Sequence, residues 1–215
     1  MKEIEYKTRI IKAGERLGHK GLLIATGGNL SVRISENEVL ITASGVCKYT
    51  LEPKQITKVD MKGKIISGMK PALDIAMHLV IYKNRPAVKA IVHAHPPFIT
   101  GISMTDYKFD KITLPEVLFE LGEIVVTEYA LSTTDSVAEV VEKALLENPE
   151  SKALVLAAHG AITFGDSIME ASYKMETLEM FAKATIVSKI IGNERTLTEN
   201  EINNIKRIIN KLSNE

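Results

Sequence analysis

The chain has 215 residues, 27 Lys and Arg balanced by 27 Asp and Glu, and 45% hydrophobic residues. That length suits one domain with a substantial core, and a formal net charge of zero supplies no long-range field for nucleic acid or an anionic membrane. No apolar run reaches the roughly 18 residues of a membrane span, Met1 to Tyr6 lacks a signal peptide's apolar stretch, and the single Cys47 cannot form an intramolecular disulfide, so the expectation is a cytoplasmic protein.

In chain order, Ile4, Ile10, Ile11, Ala13 and Leu17 recur at roughly helical spacing, and Gly18 and Gly21 fall where that helix should stop near Lys20. Leu30, Val32 and Ile34 alternate with Ser31, Arg33 and Ser35, and the run from Val39 to Ala43 completes a predicted hairpin after Glu36-Asn37-Glu38. Ile65-Ile66 extends the same sheet. From Ala72 to Tyr82 the period becomes helical, Asn84-Arg85-Pro86 ends it, and a strand carrying His93 and His95 follows. Ile124-Val125-Val126 reads as a strand, Asp135 as the cap of a helix through Leu146 that Asn148-Pro149 stops, and Ala153 to Ala158 as a strand ending at His159. Asp166 then caps a long helix with the stripe Ile168, Ala171, Met175, Leu178, Ala182, Ile186 and Ile190, closed by Gly192. Thr198 and Glu201 make a capping box before a last helix, whose apolar face of Ile202, Ile205, Ile208, Ile209 and Leu212 needs a partner surface. With no repeat, linker or low-complexity segment, the expectation is one continuous α/β domain over 1–215.

The chemistry concentrates in three places. His93 and His95 stand at i and i+2, so on a strand both imidazoles project from one face, and His159 brings the count to the three protein ligands of a catalytic zinc with an open position. The competing reading is a pair of core histidines satisfied by hydrogen bonds beside an unrelated third. Thr26-Gly27-Gly28-Asn29 and Thr42-Ala43-Ser44-Gly45 adjoin neighbouring strands, where glycine lets the backbone approach an anion; a plain turn is the alternative. Asp74, at a helix start, reads either as a helix cap or as a fourth metal ligand and proton acceptor, with His78 one turn later behind the ligands or simply packed. His19 reads as a surface residue.

The acidic Asp74, the interval from His78 to His93, the His93-Ala94-His95-Pro96 strand, the later His159-Gly160 and the early Gly27-Gly28-Asn29 with Ser31 together resemble the class II aldolase and adducin-head family, over roughly Glu5 to Gly192. The resemblance implies a three-layer α/β/α fold with a central, mainly antiparallel sheet. It implies one zinc per subunit, a fourfold-symmetric homotetramer with active sites between subunits, and a small sugar phosphate as substrate. By residue it implies His93, His95 and His159 as zinc ligands, Asp74 as the catalytic acidic group, and Gly28, Asn29, Ser44 and Gly45 as phosphate-binding positions. The leading implied activity is retro-aldol cleavage of a ketose 1-phosphate such as L-fuculose 1-phosphate to dihydroxyacetone phosphate and an aldehyde. L-ribulose-5-phosphate 4-epimerisation and methylthioribulose-1-phosphate dehydration are the enzymatic alternatives, and an adducin-like interaction module the non-enzymatic one. Several residues depart from the family pattern. Ala72 and Leu73 stand where a serine pair commonly precedes the carboxylate, Phe119 stands at a tyrosine position, and no aromatic follows Phe181, leaving Glu116, Glu120 or Tyr129 as replacement acids.

Overall fold

The computed structural model describes residues 1–109, 111, 113–192 and 195–212. Eight strands form one sheet in the order β4-β3-β2-β1-β5-β8-β7-β6. They are β1 Asn29–Arg33, β2 Glu38–Thr42, β3 Ile56–Asp60, β4 Ile65–Ser67, β5 Ala90–Ala94, β6 Ile124–Val126, β7 Ala153–Leu156 and β8 Gly160–Gly165. Every neighbouring pair is antiparallel except β6 with β7, so the expected mainly antiparallel sheet is present.

Helices cover both faces. One face packs on α1 (Glu3–His19), α3 (Pro97–Ser103), α4 (Pro115–Glu120) and α6 (Ile168–Ile191), through a core that includes Ile10, Leu17, Leu30, Val92, Met175 and Phe181. The other packs on α2 (Ile75–Asn84) and α5 (Asp135–Glu147), through Ile41, Met77, Ile81, Ile91, Val141 and Phe164. Strand pleating divides the side chains between these layers. In β5, Ala90, Val92 and Ala94 enter the first core while Ile91 enters the second, which turns His93 toward α2. In β1, Leu30 and Val32 take the first core and Ser31 points the opposite way, so the strand's polar positions lie beneath a helix rather than in water.

Local chemistry moved several element ends. α2 begins at Ile75 rather than Ala72, because Ala43 bridges to Pro71 and the Ala72 N–H donates to the Thr42 carbonyl, pinning that segment in an extended form. The long helix α6 is capped by Ser167, not Asp166: its hydroxyl accepts the Glu170 N–H at 3.1 Å, while Glu170 reaches back to the Asp166 N–H. Thr134 holds the N-cap position of α5, which puts Asp135 inside the first turn. Ile190, expected in the α6 stripe, is 79% exposed because the helix runs beyond the layer it covers. The final helix α7 (Glu199–Leu212) carries the predicted reciprocal Thr198–Glu201 bonds. Its Ile202, Ile205 and Ile209 are partly buried and Ile208 is exposed; the side chain of Leu212 lies outside the described residues. Among the described residues no helix is long and apolar enough to cross a membrane.

Candidate metal centre and active site

Antiparallel register brings the candidate residues to one rim of the sheet. Asn29, opening β1, pairs with His93, near the end of β5, and Ala94 pairs with Ala161, beside the start of β8. The exit of β2 at Thr42 and the turn between β7 and β8 reach the same rim.

His93 lies within β5, but His95 stands just beyond its last residue and His159 lies in the β7–β8 turn, so two of the three are held by loops rather than strands. Each loop is tightly fixed. Ala158 takes a φ of 52°, its N–H donates to the Ser103 carbonyl at 2.8 Å, and the His159 N–H donates to Leu156 at 3.1 Å. Beyond His95 the N–H groups of Phe98 and Ile99 both donate to the buried Glu179 carboxylate at 2.9 Å, which anchors the start of α3. Gly27 and Gly160 flank the His95 ring. A Cβ on Gly160 would stand 2.7 Å from His95 Cδ2, and one on Gly27 3.2 Å from its Nδ1. Gly28, at φ 70°, passes so close to β5 that a Cβ there would lie 2.6 Å from the His93 carbonyl oxygen.

The three imidazoles converge, with one ligand nitrogen from each lying within 4.8 Å of the others. His93 Nδ1 faces the Ala161 carbonyl at 3.0 Å. A carbonyl only accepts, so Nδ1 carries the ring proton and Nε2 presents a bare lone pair to the site. Burial, reinforced by the neighbouring His95 and His159, holds His93 well below the usual imidazole range, and burial lowers His95 and His159 as well. All three are therefore neutral at pH 7, the form that binds a metal. His95 Nε2 lies 3.0 Å from His93 Nε2, a contact between two nitrogens that requires a proton or a cation between them.

Asp74 occupies the N-cap position of α2, yet its side chain makes no capping bond. Its Oδ2 instead accepts from Asn29 Nδ2 at 3.1 Å and stands 4.0 Å from His93 Nε2. Its Oδ1 is buried without a hydrogen-bond partner, and a buried carboxylate oxygen left in that condition is costly. Three neutral imidazole nitrogens beside an orphaned carboxylate oxygen form a donor set that fits a divalent ion.

The two glycine turns also meet. Lys48 is 2% exposed and donates to the carbonyls of Thr26 in the first turn at 2.6 Å and of Val46, just past the second, at 2.8 Å. Burial lowers its pKa, opposed by the charges of Cys47 and Asp74. Ser44 is half-buried, its N–H donating to Lys70, and Gly45 is exposed at φ 71°. The Asn29 side-chain amide is committed to Asp74 and to His78, at 2.5 Å, so any contact of Asn29 with an anion falls to its backbone. Ala72 is buried and Leu73 exposed beside Asp74. Glu116, Phe119 and Glu120 ride on α4, which leads into the opposite end of β6, whereas Tyr129 follows that strand's near end and is 67% exposed. Nothing in the sequence singles out Lys48 or Tyr82, and Gly27 and Ser31, though part of the Gly-Gly-Asn motif, show no sign there of their contacts with His95 and His78. Only that motif carried a signal, because nothing local marks a lysine as buried. A cavity of about 560 Å³ between α4, α6 and α7 holds no histidine and lies away from the triad.

The sequence model of the class II aldolase and adducin N-terminal domain family matches residues 8–186. A 3-oxo-tetronate 4-phosphate decarboxylase of Haemophilus influenzae is 29% identical over 96% of this chain and 98% of its own. An L-fuculose phosphate aldolase of Methanococcus vannielii is 36% identical over 80% of this chain and 91% of its own. A solved L-fuculose 1-phosphate aldolase superposes with a TM-score of 0.89 at 27% identity, covering 99% of this chain and 98% of that one.

Proposed function

The chain belongs to the class II aldolase and adducin N-terminal domain family, and on that premise we propose that it is a zinc-dependent lyase that breaks a carbon–carbon bond near the carbonyl of a small sugar phosphate, a ketose 1-phosphate by retro-aldol cleavage in the first reading. The observation that carries this is the convergence of three neutral imidazoles on an Asp74 carboxylate whose Oδ1 is buried and unpartnered. His93, His95 and His159 would hold the ion. Zinc, when bound, supplies Lewis-acid polarisation of the carbonyl, worth several kcal/mol of charge stabilisation.

Asp74 supplies the proton chemistry. In a retro-aldol reaction its Oδ1 takes the proton from the hydroxyl whose carbon becomes the aldehyde, the carbon–carbon bond breaks, and the electron pair stays with the carbonyl fragment. The same oxygen then returns the proton to that fragment's carbon. Asn29 holds Oδ2 in place meanwhile, so one oxygen is oriented and the other is free to react. Gly28, Ser44 and Gly45, on turns joined by Lys48, are the proposed seat of the phosphate.

A second reading, decarboxylation of a phosphorylated 3-oxo acid, is favoured by the Haemophilus influenzae relative, matched over nearly the whole of both chains. Here the same three histidines would hold the ion, the bond to the carboxylate breaks with its electron pair left on the carbonyl fragment as carbon dioxide departs, and Asp74 passes a proton taken up from water to that carbon. Incubating the zinc-loaded protein with L-fuculose 1-phosphate, 3-oxo-tetronate 4-phosphate, L-ribulose 5-phosphate and methylthioribulose 1-phosphate separates the readings. Dihydroxyacetone phosphate forms in both, so lactaldehyde released with it from L-fuculose 1-phosphate supports the first and carbon dioxide released with it from 3-oxo-tetronate 4-phosphate the second. Xylulose phosphate indicates the epimerase and loss of water the dehydratase; turnover that survives complete removal of metal by EDTA refutes the common premise. We further propose a homotetramer, supported by the exposed Ile65, Ile66, Met69 and Leu73 along β4 and the approach to Asp74.

A further inference from the structure

We infer that His78 is a positioning residue: it is the central member of a one-way series of hydrogen bonds, Tyr82 to Ser31 to His78 to Asn29 to Asp74, that fixes the reacting carboxylate against the triad. This rests on the reading of Asp74 as the proton acceptor.

Each direction in the series follows from the one before. A carboxylate only accepts, so Asn29 donates through Nδ2 to Asp74 Oδ2 at 3.1 Å. That places Asn29 Oδ1 on the other side, 2.5 Å from His78 Nε2, which must therefore carry the ring proton. Burial alone pushes His78 down to about 3, so the ring is neutral and holds one proton only. Its Nδ1 is then an acceptor, and the Ser31 hydroxyl donates to it at 2.7 Å. With that proton committed, the serine oxygen accepts from the Tyr82 hydroxyl at 2.8 Å. Burial also raises the Tyr82 phenol above its ordinary value, so it remains a donor.

The series cannot run backwards. A flipped Asn29 amide would set its oxygen against the Asp74 carboxylate, replacing that bond by a repulsion, and would force the His78 proton onto Nδ1 to keep the remaining bonds. Tyr82, Ser31 and His78 are fully buried and Asn29 nearly so, which leaves no water to offer them other partners. Because Asn29 also faces His93 in the β1–β5 register, the residue that holds Asp74 is tied to the backbone of a candidate ligand. The alternative is a polar patch that only glues α2 to the sheet.

Two measurements separate these roles. In 15N-labelled, metal-free protein the His78 ring should carry its proton on Nε2, and the Asn29 side-chain amide should exchange at least about tenfold more slowly than in His78→Leu. A proton on Nδ1, or equal Asn29 exchange in both proteins, overturns the proposal. In zinc-loaded enzyme His78→Leu should lose about ten- to hundredfold in kcat while KM and zinc affinity stay within about threefold, and His78→Gln should recover most of that loss because its amide N–H replaces the one on Nε2. His78→Gln as slow as His78→Leu, with both folded as wild type, would mean that His78 only packs. Should His78→Leu fail to fold, Ser31→Ala takes its place: loss of the donor to Nδ1 should leave His78 as a mixture of tautomers and slow kcat, and an unchanged tautomer overturns the proposal. If the wild-type protein turns over no substrate, the functional reading fails and the NMR measurements still decide this one.

Discussion

A buried neutral histidine makes the metal-free protein acid-labile in a calculable way. His78 is driven from its ordinary value of 6.5 to about 3 by burial. Between those values the unfolded chain binds a proton at this position and the folded chain does not, so stability is present above about pH 6.5 and falls as the pH drops toward 3. For an unfolded value of 6.5 and a folded value of about 3, the loss between pH 6 and pH 5 is about 1.2 kcal/mol from this residue alone. His93, His95 and His159 are lowered too and add losses of the same sign. His78→Gln removes one proton from this balance and leaves the others, so its stability should fall by about 1.2 kcal/mol less over the same unit of pH. Urea unfolding followed by circular dichroism, in EDTA at pH 7, 6 and 5, gives both slopes, in a range above most carboxylate titration. Equal slopes for wild type and His78→Gln would refute the argument, because they would mean that His78 titrates in the fold as it does in the open chain.

Other changes test other parts of the site. Asp74→Asn removes the proton acceptor while keeping the size of the side chain, and should lower kcat by about 10²- to 10⁴-fold with zinc still bound at one equivalent; a variant above a tenth of wild-type turnover would remove Asp74 from the chemistry. Gly28→Ala places a methyl 2.6 Å from the His93 carbonyl oxygen at φ 70°, and should cost about 2–5 kcal/mol in urea unfolding; a cost below about 1 kcal/mol would mean that the β1 entry yields freely. Lys48→Met leaves the Thr26 and Val46 carbonyls without their donor and should cost about 2–5 kcal/mol, with KM for a phosphorylated substrate rising about tenfold or more. An unchanged KM would separate Lys48 from anion binding. Light scattering of the purified protein should give four subunits, and Ile66→Glu should shift it to smaller species; a monomeric wild type refutes the proposed assembly.

The parts of this architecture that were legible in the sequence are those set by period and punctuation. The alternation of β1, the glycine end of α1 and the His93 and His95 spacing each follow from a local rule, and so did the meeting of the Gly28 and Ser44 turns once their strands were taken as neighbours. What could not be read depends on which layer a side chain enters. Ser31 in an alternating strand reads as solvent-facing, but both faces of this sheet are covered and the serine finds a histidine instead of water. Asp74 reads from its place at a helix start either as a cap or as a reacting carboxylate, and only the depth of the site explains why its oxygens turn away from the α2 backbone. Lys48 opens a single 3-10 turn, Lys48–Thr50, too short for any periodicity to distinguish a buried lysine from a solvated one.

Gly27 and Gly160 bound the slot in which His95 stands, so part of the site's shape is recorded as atoms that are not there. A scan of all single substitutions scored on activity should find these two positions as intolerant as the histidines, although neither carries a group that could bind or react. Redesign of the rim for another substrate therefore has more freedom at the exposed Leu73 and Tyr129 than at the glycines, where the smallest added carbon moves a candidate ligand.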